Sequence, residues 1–216
     1  MAQRPHSQSK KPKRKLQRVD PKRALQPAEV EKLQAWALRV VDSGTTVPGL
    51  MRDAVIAVVL LGTGARRFEL CAFRHEDFSR GVAPVVQFDE AKGAKTAEIA
   101  ISEETWNTVV KWINWKRAHG ESLAAHAPLF CGRPGEHMSV ATLHNIWKNI
   151  LGRAGLPTRY GVHASRHAAG LMLLRATNSL SQTAEFLRHS SERVTERFYK
   201  HVLPSDVRAG LTKAGL

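Results

Sequence analysis

Apolar positions begin to recur at helical spacing after residue 26, where Val30, Leu33, Trp36, Ala37 and Val40 share one face of a predicted helix. Gln26-Pro27-Ala28-Glu29 suits its start, with proline early and an acid in the first turn, and Ser43-Gly44 ends it. Residues 50–61 are nearly all apolar after Asp53, which predicts a central helix, and Gly62-Thr63-Gly64 reads as its break. A short helix is expected over 66–73. The period then shortens. Residues 82–88 are rich in β-branched side chains, Lys92-Gly93-Ala94-Lys95 is turn-like, and 96–101 alternate apolar and polar, so a β-hairpin is expected. Leu129-Phe130-Cys131 suggest a short third strand.

Helical spacing returns twice more. Ser102 caps a predicted helix running to about residue 118 and stopped by Gly120, and Ser139 caps another with Leu143, Ile146, Trp147 and Ile150 on one face. The last third is read as helices over 163–176, 181–187, 194–199 and 205–214. The fold class is therefore mainly α with a small antiparallel β-sheet.

Composition adds a partner. Of 216 residues, 33 are Lys or Arg and 19 Asp or Glu, a formal charge of +14 that points to a polyanion, nucleic acid or an acidic membrane surface. Residues 1–24 hold Arg4, Lys10, Lys11, Lys13, Arg14, Lys15, Arg18, Lys22 and Arg23 against Asp20 alone, with few large apolar groups. Such a stretch buries too little surface to offset its ordering entropy and reads as a disordered basic arm, or more plainly as a solubilising leader. Cys71 and Cys131 lie in no metal-ligand spacing, no apolar stretch follows the basic start, and the apolar run 54–61 is too short to cross a membrane. A cytoplasmic, nucleoid-associated location is expected, with no metal, small-molecule cofactor or membrane partner.

Three stretches could carry chemistry. In His163-Ala164-Ser165-Arg166-His167, positions i, i+3 and i+4 share a helix face, and at a helix start the unpaired N–H groups would favour a phosphate. The following Ala168-Ala169-Gly170 admits a close neighbour. Arg66 follows the Gly-rich break, with Glu69 spaced to hold it through a bidentate pair. His189 ends a short helix, and Tyr199 stands between Phe198 and Lys200. Taken singly, these read as a polar surface cluster, an ordinary helix boundary and a packed aromatic.

Their order resembles the phage integrase family of tyrosine recombinases. That family shows Thr-Gly-x-Arg-x-x-Glu-Leu, a hairpin lysine, His-x-x-Arg-His, Leu-Gly-His-Ser-Ser and Tyr-x-His. The chain has Thr63-Gly64-Ala65-Arg66, Glu69-Leu70, Lys92, His163-x-x-Arg166-His167, Leu187-Arg188-His189-Ser190-Ser191 and Tyr199-Lys200-His201. The likeness covers residues 27 to 203. Ser165 replaces the usual Leu and is expected to loosen packing beneath Arg166. Arg188 replaces the usual Gly, and Tyr199 lies one residue late, with Phe198 at the common offset.

The resemblance implies a tyrosine recombinase catalytic-domain (DNA breaking-rejoining) fold over residues 25–203 and a DNA recombinase or invertase of the short, catalytic-domain-only kind. Tyr199 would be the nucleophile and Arg66 and Arg166 the clamp on the non-bridging oxygens. His189 would be a further donor, His163 the group that takes the tyrosine proton, and Lys92, or alternatively Lys95, the acid for the leaving oxygen. Double-stranded DNA and a homotetramer on it are the implied partners. Lys10, Lys11, Lys13, Arg14 and Lys15 of the arm, with Lys95, are expected on phosphates. Residues 204–216, with Val207, Leu211 and Leu216, are expected to dock on a neighbouring subunit or on their own core. A DNA-binding relative without cleavage and a type IB topoisomerase-like enzyme are the other readings.

Overall fold

Helix α2 (Pro48–Thr63) is the axis of the molecule because almost nothing on it is polar: Ala54 through Val59 and Leu60 are buried, and helices α1 (Pro27–Asp42), α4 (Glu103–Ala118), α5 (Val140–Arg153) and α6 (His163–Thr177) pack around it. A computed structural model describes residues 24–89, 96–189 and 195 of the chain. The expected helices over 194–199 and 205–214, the turn at 92–95 and the arm fall outside these residues, Ala24 and Thr195 excepted.

The one buried charge of α2 is paired locally. Asp53 is 2% exposed and its carboxylate is held by Arg52 at 3.0 Å and by Arg153 of α5 at 2.8 Å. Burial is the larger influence, so its carboxyl sits above the usual value despite the two arginines.

The sequence break at 62–64 falls later than expected. Gly62 and Thr63 remain helical, and the turn is made by Gly64 at φ 57°, a left-handed conformation that suits glycine. Gly62 instead serves packing: a Cβ there would lie 2.0 Å from Thr105 Oγ1 on α4. Helix α3 (Arg67–Ala72) follows, with the Glu69 carboxylate accepting the Arg66 backbone N–H at 2.6 Å.

The sheet is a three-stranded antiparallel meander, β1 (Phe78–Arg80), β2 (Pro84–Asp89) and β3 (Thr96–Ala100), with Phe78, Val86, Phe88 and Ile99 turned into the core. The predicted hairpin is therefore β2–β3; Val82, read as strand, lies in the exposed turn before it. A separate two-stranded pair joins β4 (Cys131–Arg133) to β5 (Glu136–His137). Leu129 and Phe130 were expected in the third strand but are buried before it, where Leu129 N–H donates to Phe73 O at 2.8 Å. Ser102 and Ser139 cap α4 and α5 as predicted. Helix α7 (Leu180–Phe186) begins after Ser179, whose hydroxyl accepts from Gln182 N–H.

Candidate active site

The end of α7 is where the remote motifs meet. Arg188 N–H donates to Glu185 O at 2.8 Å and His189 N–H to Ala184 O at 2.9 Å, which together form a Schellman turn with Arg188 in the left-handed region at φ 51°. The turn aims two consecutive carbonyls at the arginines. Arg66 Nη2 donates to Arg188 O at 3.1 Å, and Arg166 Nη2 donates to Leu187 O. Arg166 Nη1 also donates to Gly64 O at 2.6 Å. Segments around residues 66, 166 and 188 are thereby joined at one point.

Arg166 is 3% exposed, whereas the Arg66 side chain is 33% exposed. Among the described residues, the bonds to Glu69 and Arg188 O engage two of the five N–H donors of Arg66. The bidentate side-chain pair expected between Glu69 and Arg66 does not form. Its Oε1 accepts from Arg66 Nη1 at 2.6 Å, while Oε2 is shared by the Arg66 backbone N–H and Arg188 Nη2 at 2.8 Å. Burial acts to raise the Glu69 carboxyl, but Arg188 and the bonds from Arg66 outweigh it and hold the group below its ordinary value.

Three imidazoles complete the cluster. His163 and His167 meet edge to face with centroids 4.5 Å apart, as their i, i+4 spacing requires. Among the described residues no third donor completes a metal-binding group there. His189 Nδ1 lies 2.8 Å from the hydroxyl of fully buried Thr195. Burial first, then Arg166, Arg66, Arg188 and His163, push His189 down to about 4. His167 is pushed down to about 4 by burial, then by His163, Arg166 and His189. His163 has an open residue surface, yet the protein around its ring, followed by Arg166, Arg66 and Arg67, still lowers it. All three imidazoles are thus held toward the neutral form by burial first and by neighbouring positive charge second, and an anion would relieve the second.

Two sequence expectations are corrected here. Ala164 and Ser165 at the start of α6 do not present unpaired N–H groups: they donate to Gly161 O and Val162 O at 2.9 and 3.1 Å. Ser165 does not loosen the packing either, since it is fully buried with its hydroxyl on Val162 O at 2.7 Å. Of the sequence candidates, Arg66, His163, Arg166 and His189 come together. Lys92, Lys95, Tyr199 and arm residues Lys10, Lys11, Lys13, Arg14 and Lys15 lie outside the described residues. The sequence places His167 on the helix face of His163 and Arg166 without giving it a role; Thr195 is new to the cluster, and Arg188, read only as a departure, carried its signal as an arginine in a position that favours glycine.

The sequence matches the phage integrase family over residues 23–205. Tyrosine recombinase XerC of Xanthomonas axonopodis pv. citri (strain 306) is 27% identical over 166 residues, 77% of this chain and 52% of that protein. The chain spans about half the length of the Xanthomonas relatives it matches. The crystal structure of XerA recombinase superposes with a TM-score of 0.70 at 20% identity, over 88% of this chain and 64% of that one. XerH site-specific recombinase, bound to palindromic difH substrate in a post-cleavage complex, also gives 0.70, at 19% identity over 87% of this chain and 52% of its own. The two likenesses establish a shared fold.

Proposed function

Since the chain belongs to the phage integrase family, we propose that it is a site-specific DNA recombinase that cuts and rejoins double-stranded DNA through a 3′-phosphotyrosyl intermediate. The observation that carries this reading is the convergence of Arg66 and Arg166 on the neighbouring carbonyls of Arg188 and Leu187, beside His189. Two guanidiniums from remote segments with three neutral imidazoles suit a centre where negative charge grows.

The phosphodiester carries one charge and gains another on its non-bridging oxygens as a fifth oxygen approaches phosphorus. Arg66, the more open guanidinium, is suited to hydrogen-bond such an oxygen; buried Arg166 adds a fixed positive charge. For His189 to donate to the phosphate, its Nδ1 must accept from Thr195 and its Nε2 must carry the proton. His163, kept neutral by its surroundings, accepts the Tyr199 proton as Tyr199 Oη bonds to phosphorus. The bond from phosphorus to the 5′-oxygen breaks, and that oxygen takes a proton from Lys92, with Lys95 as the alternative. Attack by a 5′-hydroxyl of another strand on the phosphotyrosine reverses these transfers. Strand exchange extends the reading to a homotetramer on two duplexes.

A duplex nicked so that the short cleaved fragment diffuses away tests the chemistry. Wild-type chain is expected to form a protein–DNA adduct that resists denaturant, and Tyr199→Phe to form none. Paired target sites are expected to yield exchanged products. An adduct that persists in Tyr199→Phe, or relaxation of supercoils without any exchange, contradicts the proposal.

A further inference from the structure

Arg188 stands in a backbone conformation that suits glycine, at φ 51°, yet its side chain is only 5% exposed and tied on several sides. Nη2 donates to Glu69 Oε2 at 2.8 Å, and Nη1 donates to Phe186 O at 3.1 Å and Thr63 O at 3.4 Å. The guanidinium carbon lies 3.4 Å from the centroid of the Phe88 ring, a cation–π contact. One side chain therefore touches the end of α2, the carboxylate on α3, the end of α7 and strand β2, which runs in sequence toward Lys92. The shared partner is the important one: Glu69 Oε1 holds Arg66 Nη1 at 2.6 Å while Oε2 holds Arg188.

We propose that Arg188 is a positioning residue for strand transfer: it fixes the Glu69 carboxylate, and through it the direction of the Arg66 guanidinium, while its stack on Phe88 ties β2 to the same point. The inference rests on the recombinase reading for its consequence, though not for its geometry. Arg188 acts through Arg66 and carries no contact to the scissile phosphate. Its charge also adds to the field on His189.

The turn itself makes a clean test possible, because Arg188→Gly places the residue best suited to this φ and the variant keeps its fold. At saturating nicked duplex, Arg188→Gly is expected to lose roughly 10- to 100-fold in single-turnover cleavage, the scale of a small misplacement of a reacting group. Its DNA affinity keeps the wild-type salt dependence, and Arg188→Lys recovers part of the rate. By NMR, the His189 titration midpoint is expected to rise in Arg188→Gly from about 4 and to stay low in Arg188→Lys, and the Arg66 guanidinium N–H signals are expected to be separate in wild type and to average together in Arg188→Gly. Cleavage by Arg188→Gly at the wild-type rate overturns the proposal. So does a salt slope reduced by about one, which would make Arg188 a phosphate contact in its own right. If the wild-type chain forms no adduct at all, the recombinase reading falls by itself, and the Arg66 signals then decide: identical signals in wild type and Arg188→Gly reject the positioning role.

Discussion

His167 and His189 sit near 4 because burial and neighbouring cations both disfavour their charged forms, whereas each titrates near 6.5 in an unfolded chain. Between those values the unfolded chain binds more protons, so stability falls as pH is lowered from about 6.5 toward 4. Urea denaturation is expected to show a loss of about 1–3 kcal/mol across this window, reduced when a DNA duplex occupies the cluster, since a phosphate favours the charged imidazoles. A flat profile would mean that the histidines are not held toward the neutral form. At this scale the sequence is most informative about residue type: Arg66, His163, Arg166 and His189 suit a phosphate, and they are legible because their order along the chain resembles that of the phage integrase family. What was not legible is the set of partners. The pairing of Glu69 with Arg66 is local and legible, but its second bond, to Arg188, spans 119 positions, and His189 leans on Thr195, which no motif singles out.

Elements were legible where period and caps agreed. Helices α4 and α5 start at the serines the sequence offers, and α2 is central because it is apolar all round. Short pieces were not, since β1, β4 and β5 hold two or three residues each and cannot display an alternation. The junction of α2 and α3 shows why a correctly sensed break can be misplaced. Gly62 stays in the helix to admit Thr105, and Gly64 alone turns the chain, with a Cβ there only 2.9 Å from Phe186. Because Gly64 O also accepts from Arg166, this turn belongs to the site as much as to the fold. Gly64→Ala is expected to cost about 2–3 kcal/mol of stability, from the left-handed backbone and the crowding of α7, and to slow cleavage as well. Unchanged denaturation midpoints and rates would show that the junction tolerates a side chain and does not set Arg166.

For the molecule as a whole, net charge points to a polyanionic partner, the apolar α2 to a helical core, and the order of the motifs to the family that the match over residues 23–205 shows. None of the helices among the described residues is long and apolar enough to cross a membrane. Tertiary folding contributes the convergence itself: the turn between α2 and α3 carries Arg66 to the cluster, α6 presents the second arginine with two histidines, and the Schellman turn after α7 brings His189 and two receiving carbonyls to both. In the proposed reaction this cluster surrounds a single backbone phosphorus. The most direct measurement is the crystal structure of the chain trapped on a nicked duplex after cleavage. The expected result is a phosphate bonded to Tyr199 Oη, with at least Arg66 and His189 donating to its non-bridging oxygens at about 2.7–2.9 Å. A phosphate linked to another residue, or linked to Tyr199 but out of reach of Arg66, Arg166 and His189, would contradict it.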